Sequence, residues 1–193
     1  MEKKNYSKIY RIMHWLMAIS FTLLLFTIFL RLTWLNKYNV ADIMKDFFID
    51  TDQTLSQDQL IKLAKKIRQP MWDWHIYLGY FITGLFVMRF ALPFFGKMKV
   101  QNPLKKELSW KDKLKKWTYL IFYVCVFISL VTGLIIEFGP REYKKPMESI
   151  HILSIYYLIP FILIHLSGVL RAEFTWDKGI ISRIVSENNK EEN

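Results

Sequence analysis

The sequence predicts an all-α integral membrane protein, a bundle of four transmembrane helices. Three observations carry this. Four apolar runs of about 20 residues stand along the chain, the length a helix needs to cross the hydrocarbon core. Charged segments separate the runs. Trp, Tyr, Lys and Arg bound them, and these side chains anchor well at headgroup level. At 193 residues and 52% hydrophobic content, the chain has the size of one ordinary soluble domain. The crowding of its apolar residues into four blocks argues instead for a single membrane domain over 1–193. Its helices are predicted at about 12–32, 74–95, 117–138 and 150–170, with a loop at 33–71.

The first run, Trp15 to Leu32, is extended at its start by Ile12, Met13 and His14. Between Phe21 and Leu30 only Thr22 and Thr27 are polar. Their hydroxyls can bond carbonyls of the preceding turn, which a membrane accepts. A soluble bundle would show a polar face here. The basic start (Lys3, Lys4, Lys8, Arg11) resembles the front of a signal peptide, but the run is long and no A-x-A-like site follows. The helix is therefore read as retained.

The loop at 33–71 carries Asp42, Asp46, Asp50, Asp52 and Asp58. They are too loosely spaced for a calcium loop. From Gln59 to Arg68, the residues Leu60, Leu63 and Ile67 share one helical face. The spacing predicts a short amphipathic helix, capped by Asp52 or Ser56, lying on the membrane surface or against a partner. The second run spans Trp74 to Phe95, the third Trp117 to Phe138, and the fourth Ile150 to Leu170.

Basic residues set the orientation. With the amino terminus inside, the inner segments 1–11, 96–116 and 171–193 hold 4, 8 and 4 Lys and Arg residues, against 6 and 3 in the outer segments 33–71 and 138–149. The patch Lys105, Lys106, Lys111, Lys113, Lys115 and Lys116 dominates. The positive-inside rule then places both termini in the cytoplasm, in a multi-pass membrane protein. The net charge of +10 is read as topology and contact with anionic lipid. No nucleic-acid motif accompanies it, so no nucleic-acid partner is expected. Cys125 is the only cysteine. That excludes an internal disulfide, covalent c-type haem attachment and an all-thiolate metal site.

The chain has four histidines, His14, His75, His151 and His165, and all fall in or at the edge of predicted membrane helices. Ionisable groups there are uncommon and usually functional. With the amino terminus inside, His14 lies at the inner end of helix 1 and His75 at the outer end of helix 2. His151 lies at the outer end of helix 4, and His165 is fourteen residues further on, about 21 Å along an α-helix. Fourteen residues make nearly four turns, which predicts both side chains on almost the same face of one helix. The set sorts into two pairs, His14 with His165 inside and His75 with His151 outside. Each pair can clamp one flat macrocycle between two axial imidazoles. Two histidines leave a zinc ion short of ligands. The expectation is thus two non-covalent haems b between the helices. Gly79, Gly84, Gly133 and Gly168 mark either room for a large planar group or ordinary close helix packing.

The ordered set of residues also resembles a family. Arg11, His14 and Trp15 in RIMHWLMAIS, then His75, Gly79 and Arg89, then His151, His165, Arg171 and Asp177-Lys178-Gly179-Ile180 resemble the prokaryotic cytochrome b561 family. That family groups with the b-type cytochrome subunits of nickel–iron hydrogenases. The resemblance covers nearly the whole chain, although the loop at 33–71 is longer than in compact members. It implies bis-histidine haem b ligated by His14, His75, His151 and His165, and electron exchange with a membrane quinone. It implies haem-propionate or quinone-headgroup contacts for Arg11, Arg89 and Arg171, against the alternative of simple edge anchoring. Trp15, Trp72, Trp74 and Tyr77 line such contacts or form an aromatic belt. Three roles follow. The first is the electron-transfer subunit of a larger oxidoreductase, fed by a hydrogenase or other dehydrogenase subunit. The second is a stand-alone oxidiser of superoxide that reduces quinone. The third is a structural membrane anchor. Homo-oligomerisation stays open.

Overall fold

A computed structural model describes residues 7–49, 55–95 and 109–185. Its secondary structure is helical throughout. In chain order the α-helices are α1 (Lys8–Leu32), α2 (Lys37–Ile49), α3 (Gln57–Ile67), α4 (Gln69–Ala91), α5 (Trp110–Phe138), α6 (Arg141–His151), α7 (Ser154–Phe174) and α8 (Ile180–Val185). A 3₁₀ turn over Leu92–Phe95 follows α4. Among the described residues, four stretches are long and apolar enough to cross a membrane: Lys8–Leu32, Gln69–Phe95, Asp112–Phe138 and Arg141–Phe174. Their apolar side chains point outward. Phe26, Phe29, Phe127, Leu163 and Ile164 are all more than half exposed. A water-soluble bundle would not leave this much contiguous apolar surface bare, so lipid is its solvent. The fold is an all-α, multi-pass membrane protein.

The chain divides into two compact units. One holds residues 16–86, the other residues 1–15 with 87–193.

In the 16–86 unit, α2 and α3 form a hairpin. Ala41, Leu60 and Ala64 are buried at its centre, with Val40, Met44, Phe48 and Ile61 packed around them. The helix α3 begins where Ser56 accepts from the Gln59 amide and the Gln59 side chain accepts from the Ser56 amide, a reciprocal capping box. Of the two residues predicted as caps, Ser56 takes the role. Asp52 lies outside the described residues, as do Asp50, Lys105 and Lys106. The helix α2 was not foreseen: the loop at 33–71 contains two helices, and α2 is the longer. The span α4 starts at Gln69 rather than Trp74, directly after α3.

In the other unit, α5 packs against α6 and α7, and α7 against α8. The fourth span is not one uninterrupted helix. It breaks at Ile152–Leu153, so His151 ends α6 and His165 sits in α7. The Leu153 amide bonds the Ile150 carbonyl, and the Tyr156 amide bonds the Leu153 carbonyl. Such three-residue bonds tighten the winding at that point. Pro160, inside α7, adds a second irregularity, because it has no N–H for the Tyr156 carbonyl.

Candidate functional site

Residues 1–15 and 87–193 bring two of the four histidines together. The rings of His14 on α1 and His165 on α7 have centroids 6.0 Å apart and planes tilted by 50°. Imidazole–metal bonds are about 2 Å, as on zinc. Two imidazoles facing each other across one metal therefore hold their centroids roughly 6 Å apart. The pair has that spacing. Phe161, one turn before His165 on α7, lies parallel to it at 5.9 Å and 9°. Phe122 of α5 stacks on Phe161 in turn. Tyr119 of α5 brings its phenol oxygen to 3.1 Å from His165 Nδ1.

His151 is held by the helix it returns along. Its Nδ1 lies 2.9 Å from the Ser129 carbonyl oxygen and 3.2 Å from Thr132 Oγ1. A carbonyl only accepts, so Nδ1 carries the proton. The lone pair is then on Nε2, the nitrogen such a tautomer presents to a metal. Gly133 makes the approach possible: a Cβ there would stand 3.1 Å from His151 Cε1. The Tyr157 hydroxyl donates to Ser129 Oγ and extends the polar cluster.

In the 16–86 unit, His75 of α4 meets Thr27 of α1, with Nδ1 to Oγ1 at 2.8 Å. The Thr27 hydroxyl donates its proton to the Leu24 carbonyl at 2.6 Å. It therefore accepts from His75, which again places the proton on Nδ1. Trp72 stacks on His75 at 5.0 Å, nearly parallel at 7°. The Arg31 guanidinium lies over the far ring, 4.9 Å from the Trp72 centroid. Partial burial, and after it the charge of Arg31, hold Arg68 below the usual arginine range.

The arginines differ among themselves. Arg89 Nε donates to the Tyr123 hydroxyl at 2.6 Å, and its guanidinium lies over the Tyr10 and Tyr123 rings at 5.6 and 5.5 Å. Its charge also reaches His14. Arg171, in the last turn of α7, lies over Trp176 at 5.5 Å. Arg11 is half-buried, one turn before His14. Trp74 and Tyr77 are mostly exposed and meet edge to face, as belt residues do. Trp15 instead donates its Nε1–H to the Ile184 carbonyl at 3.0 Å.

The segment after α7, read at first only as part of a resemblance, has a structural job. Gly179 at φ +86° takes a backbone conformation that side chains disfavour. The Glu173 carboxylate accepts the Gly179 and Ile181 amides, and Asp177 pairs with Arg183. Together they fold α8 back so that its end meets Trp15, the neighbour of His14.

One kind of residue escaped the sequence. The hydroxyl partners Ser129, Thr132 and Tyr119 carry no sequence reading, although polar groups inside apolar runs are a visible signal. Thr27 bonds a carbonyl of the preceding turn as expected, and its contact with His75 is additional. The glycines are now sorted. Beyond its own stretch of helix, a Cβ placed at Gly79, Gly84 or Gly168 meets no atom of the described residues within 4 Å. Gly133 packs on a histidine instead.

Among the described residues, no three His, Cys, Asp or Glu side chains converge as a metal site. No curated protein and no solved structure matches the chain. A family model described as prokaryotic cytochrome b561 matches residues 5–187. With that match over most of its length, and with four helices long and apolar enough to span a membrane, the chain belongs to the prokaryotic cytochrome b561 family of membrane electron-transfer proteins.

Proposed function

We propose that this protein is a di-haem b-type cytochrome of the bacterial inner membrane. It passes electrons between an outer donor, or a partner subunit such as a hydrogenase or other dehydrogenase, and the quinone pool. The observation that carries the reading is the 6.0 Å ring separation of His14 and His165, which suits two axial ligands of one iron. The charge pattern of the sequence assigns His75 and His151 to the outer half, as ligands of the second haem in this reading. Each has Nδ1 committed to an oxygen acceptor, which supports ligation through Nε2. When bound, haem b supplies reversible one-electron chemistry at iron.

The chain's own residues do the rest. Haem would be held by two imidazoles per iron, His14 with His165 and His75 with His151, and such a ligand set would suit electron transfer rather than oxygen binding. The apolar spans would keep water from that site. Arg89, held by Tyr123 and within electrostatic reach of His14, is the best placed of the arginines to meet a propionate or a quinone headgroup. Arg11 and Arg171 flank the same inner end in this reading. Both termini lie in the cytoplasm.

Haem quantified per chain on purified, detergent-solubilised protein tests this. Two low-spin bis-histidine centres, reducible by quinol, are expected. His14→Ala and His165→Ala should each remove the same centre, and His75→Ala and His151→Ala the other. One haem or none in the unmutated protein sinks the two-pair assignment. Haem without quinol coupling would leave only the structural anchor.

A second reading has one observation in its favour. Arg31 and Arg68 stand within reach of each other's charge, beside the Trp72–His75 stack. Such positive charge can steer an anion towards the outer pair. The protein would then oxidise two superoxide ions to two dioxygen molecules, and the two electrons, with two protons taken from water, would reduce one quinone to quinol. Copurification of a hydrophilic subunit separates the first reading from this one.

A further inference from the structure

Most hydroxyls on the spans do only what lipid requires of them. Ser20, Thr22, Thr83 and Thr118 each donate to the carbonyl four residues back. This satisfies the proton and asks for nothing more. Thr27 and Thr132 differ. Thr27 donates to the carbonyl three residues back, and Thr132 to the carbonyls three and four back. Both are buried, with 7% and 4% of their surface exposed. Both also stand against a histidine Nδ1, at 2.8 and 3.2 Å.

We propose that Thr27 is a positioning residue for His75. Its oxygen, with the proton spent on Leu24, accepts the Nδ1–H and so fixes the tautomer that presents Nε2. The parallel Trp72 ring limits tilt on the other side. An accepted Nδ1–H makes an imidazole a stronger donor to a metal, which favours the oxidised iron. Thr132 has the lesser part at His151, because the Ser129 carbonyl, 2.9 Å away, is backbone and survives any substitution. This inference rests on the haem reading above.

Thr27→Val keeps the shape and deletes the acceptor. In the purified holoprotein, potentiometric titration followed by low-temperature EPR should find one of the two centres altered. Its midpoint should rise and its low-spin signal should shift, while the other centre stays put. Haem retention at the altered centre should weaken by roughly 10–100-fold, as for other outer-shell partners of metal ligands. The centre affected should be the one that His75→Ala abolishes. Thr27→Ser, which keeps the hydroxyl, should restore the unmutated behaviour, Thr132→Val should shift its centre less, and Thr22→Val should change nothing. If Thr27→Val loses haem outright while Thr27→Ser does not, the hydroxyl is again the cause. Equal loss in Thr27→Val and Thr27→Ser would overturn the proposal in favour of packing. So would a Thr27→Val titration and spectrum identical to the unmutated protein, with His75→Ala still losing a haem, and the haem reading would then stand. Unmutated protein without haem would overturn both.

Discussion

A methyl group is enough to test the seat of His151. A Cβ on residue 133 would lie 3.1 Å from the ring carbon Cε1, closer than ordinary contact, so Gly133→Ala should push the ring by a few tenths of an ångström. Gly133→Val should displace it from the Ser129 carbonyl altogether. The expected outcome is loss of one low-spin haem signal with the other retained, read by EPR and haem content. An unchanged pair of signals would show that the ring has room to spare. The histidines themselves were legible in the sequence, because an ionisable side chain inside an apolar run stands out against its background. Their partners were not. Whether the Thr27 oxygen meets lipid or His75 depends on how α1 is turned about its axis, and residue order along one helix does not fix that.

Helices show the same division between what local pattern determines and what it does not. The long spans could be read from run length, and α3 from the spacing of Leu60, Leu63 and Ile67 with Ser56 ahead of it. The helix α2 had its own signal, since Ala41, Met44 and Phe48 recur at helical spacing, but the acids scattered between them masked it. The break at Ile152–Leu153 had none. Both residues keep right-handed helical backbone angles, and only the change in hydrogen-bond partners marks the place. At this scale the capping box makes a clean test. Ser56→Ala should destabilise the start of α3 by about 1 kcal/mol, roughly a fivefold rise in local opening. Hydrogen–deuterium exchange at amides 57–59 in lipid nanodiscs should report it, with the α5 amides unaffected. No change at 57–59 would mean that packing on α2, not the cap, holds the helix.

For the whole molecule, the prediction is a direction across the bilayer. Lys and Arg counts predict the α2–α3 hairpin outside and the start of α5 inside. In a Cys125→Ser background, a cysteine at Lys62 should react with a membrane-impermeant thiol reagent in intact spheroplasts. A cysteine at Lys113 should react only after lysis. The reverse pattern would invert the topology and with it the assignment of inner and outer pairs. The Trp15–Ile184 hydrogen bond sets a further condition, one of time rather than geometry. Its partners are 169 residues apart. At about 5–20 residues per second, a ribosome needs roughly 10–30 s to make what lies between them. His14 is made well before its ring partner His165 and the clasp beside it. The paired rings exist only once the later segment has been made, so a ligand that needs both imidazoles binds after that point and not before.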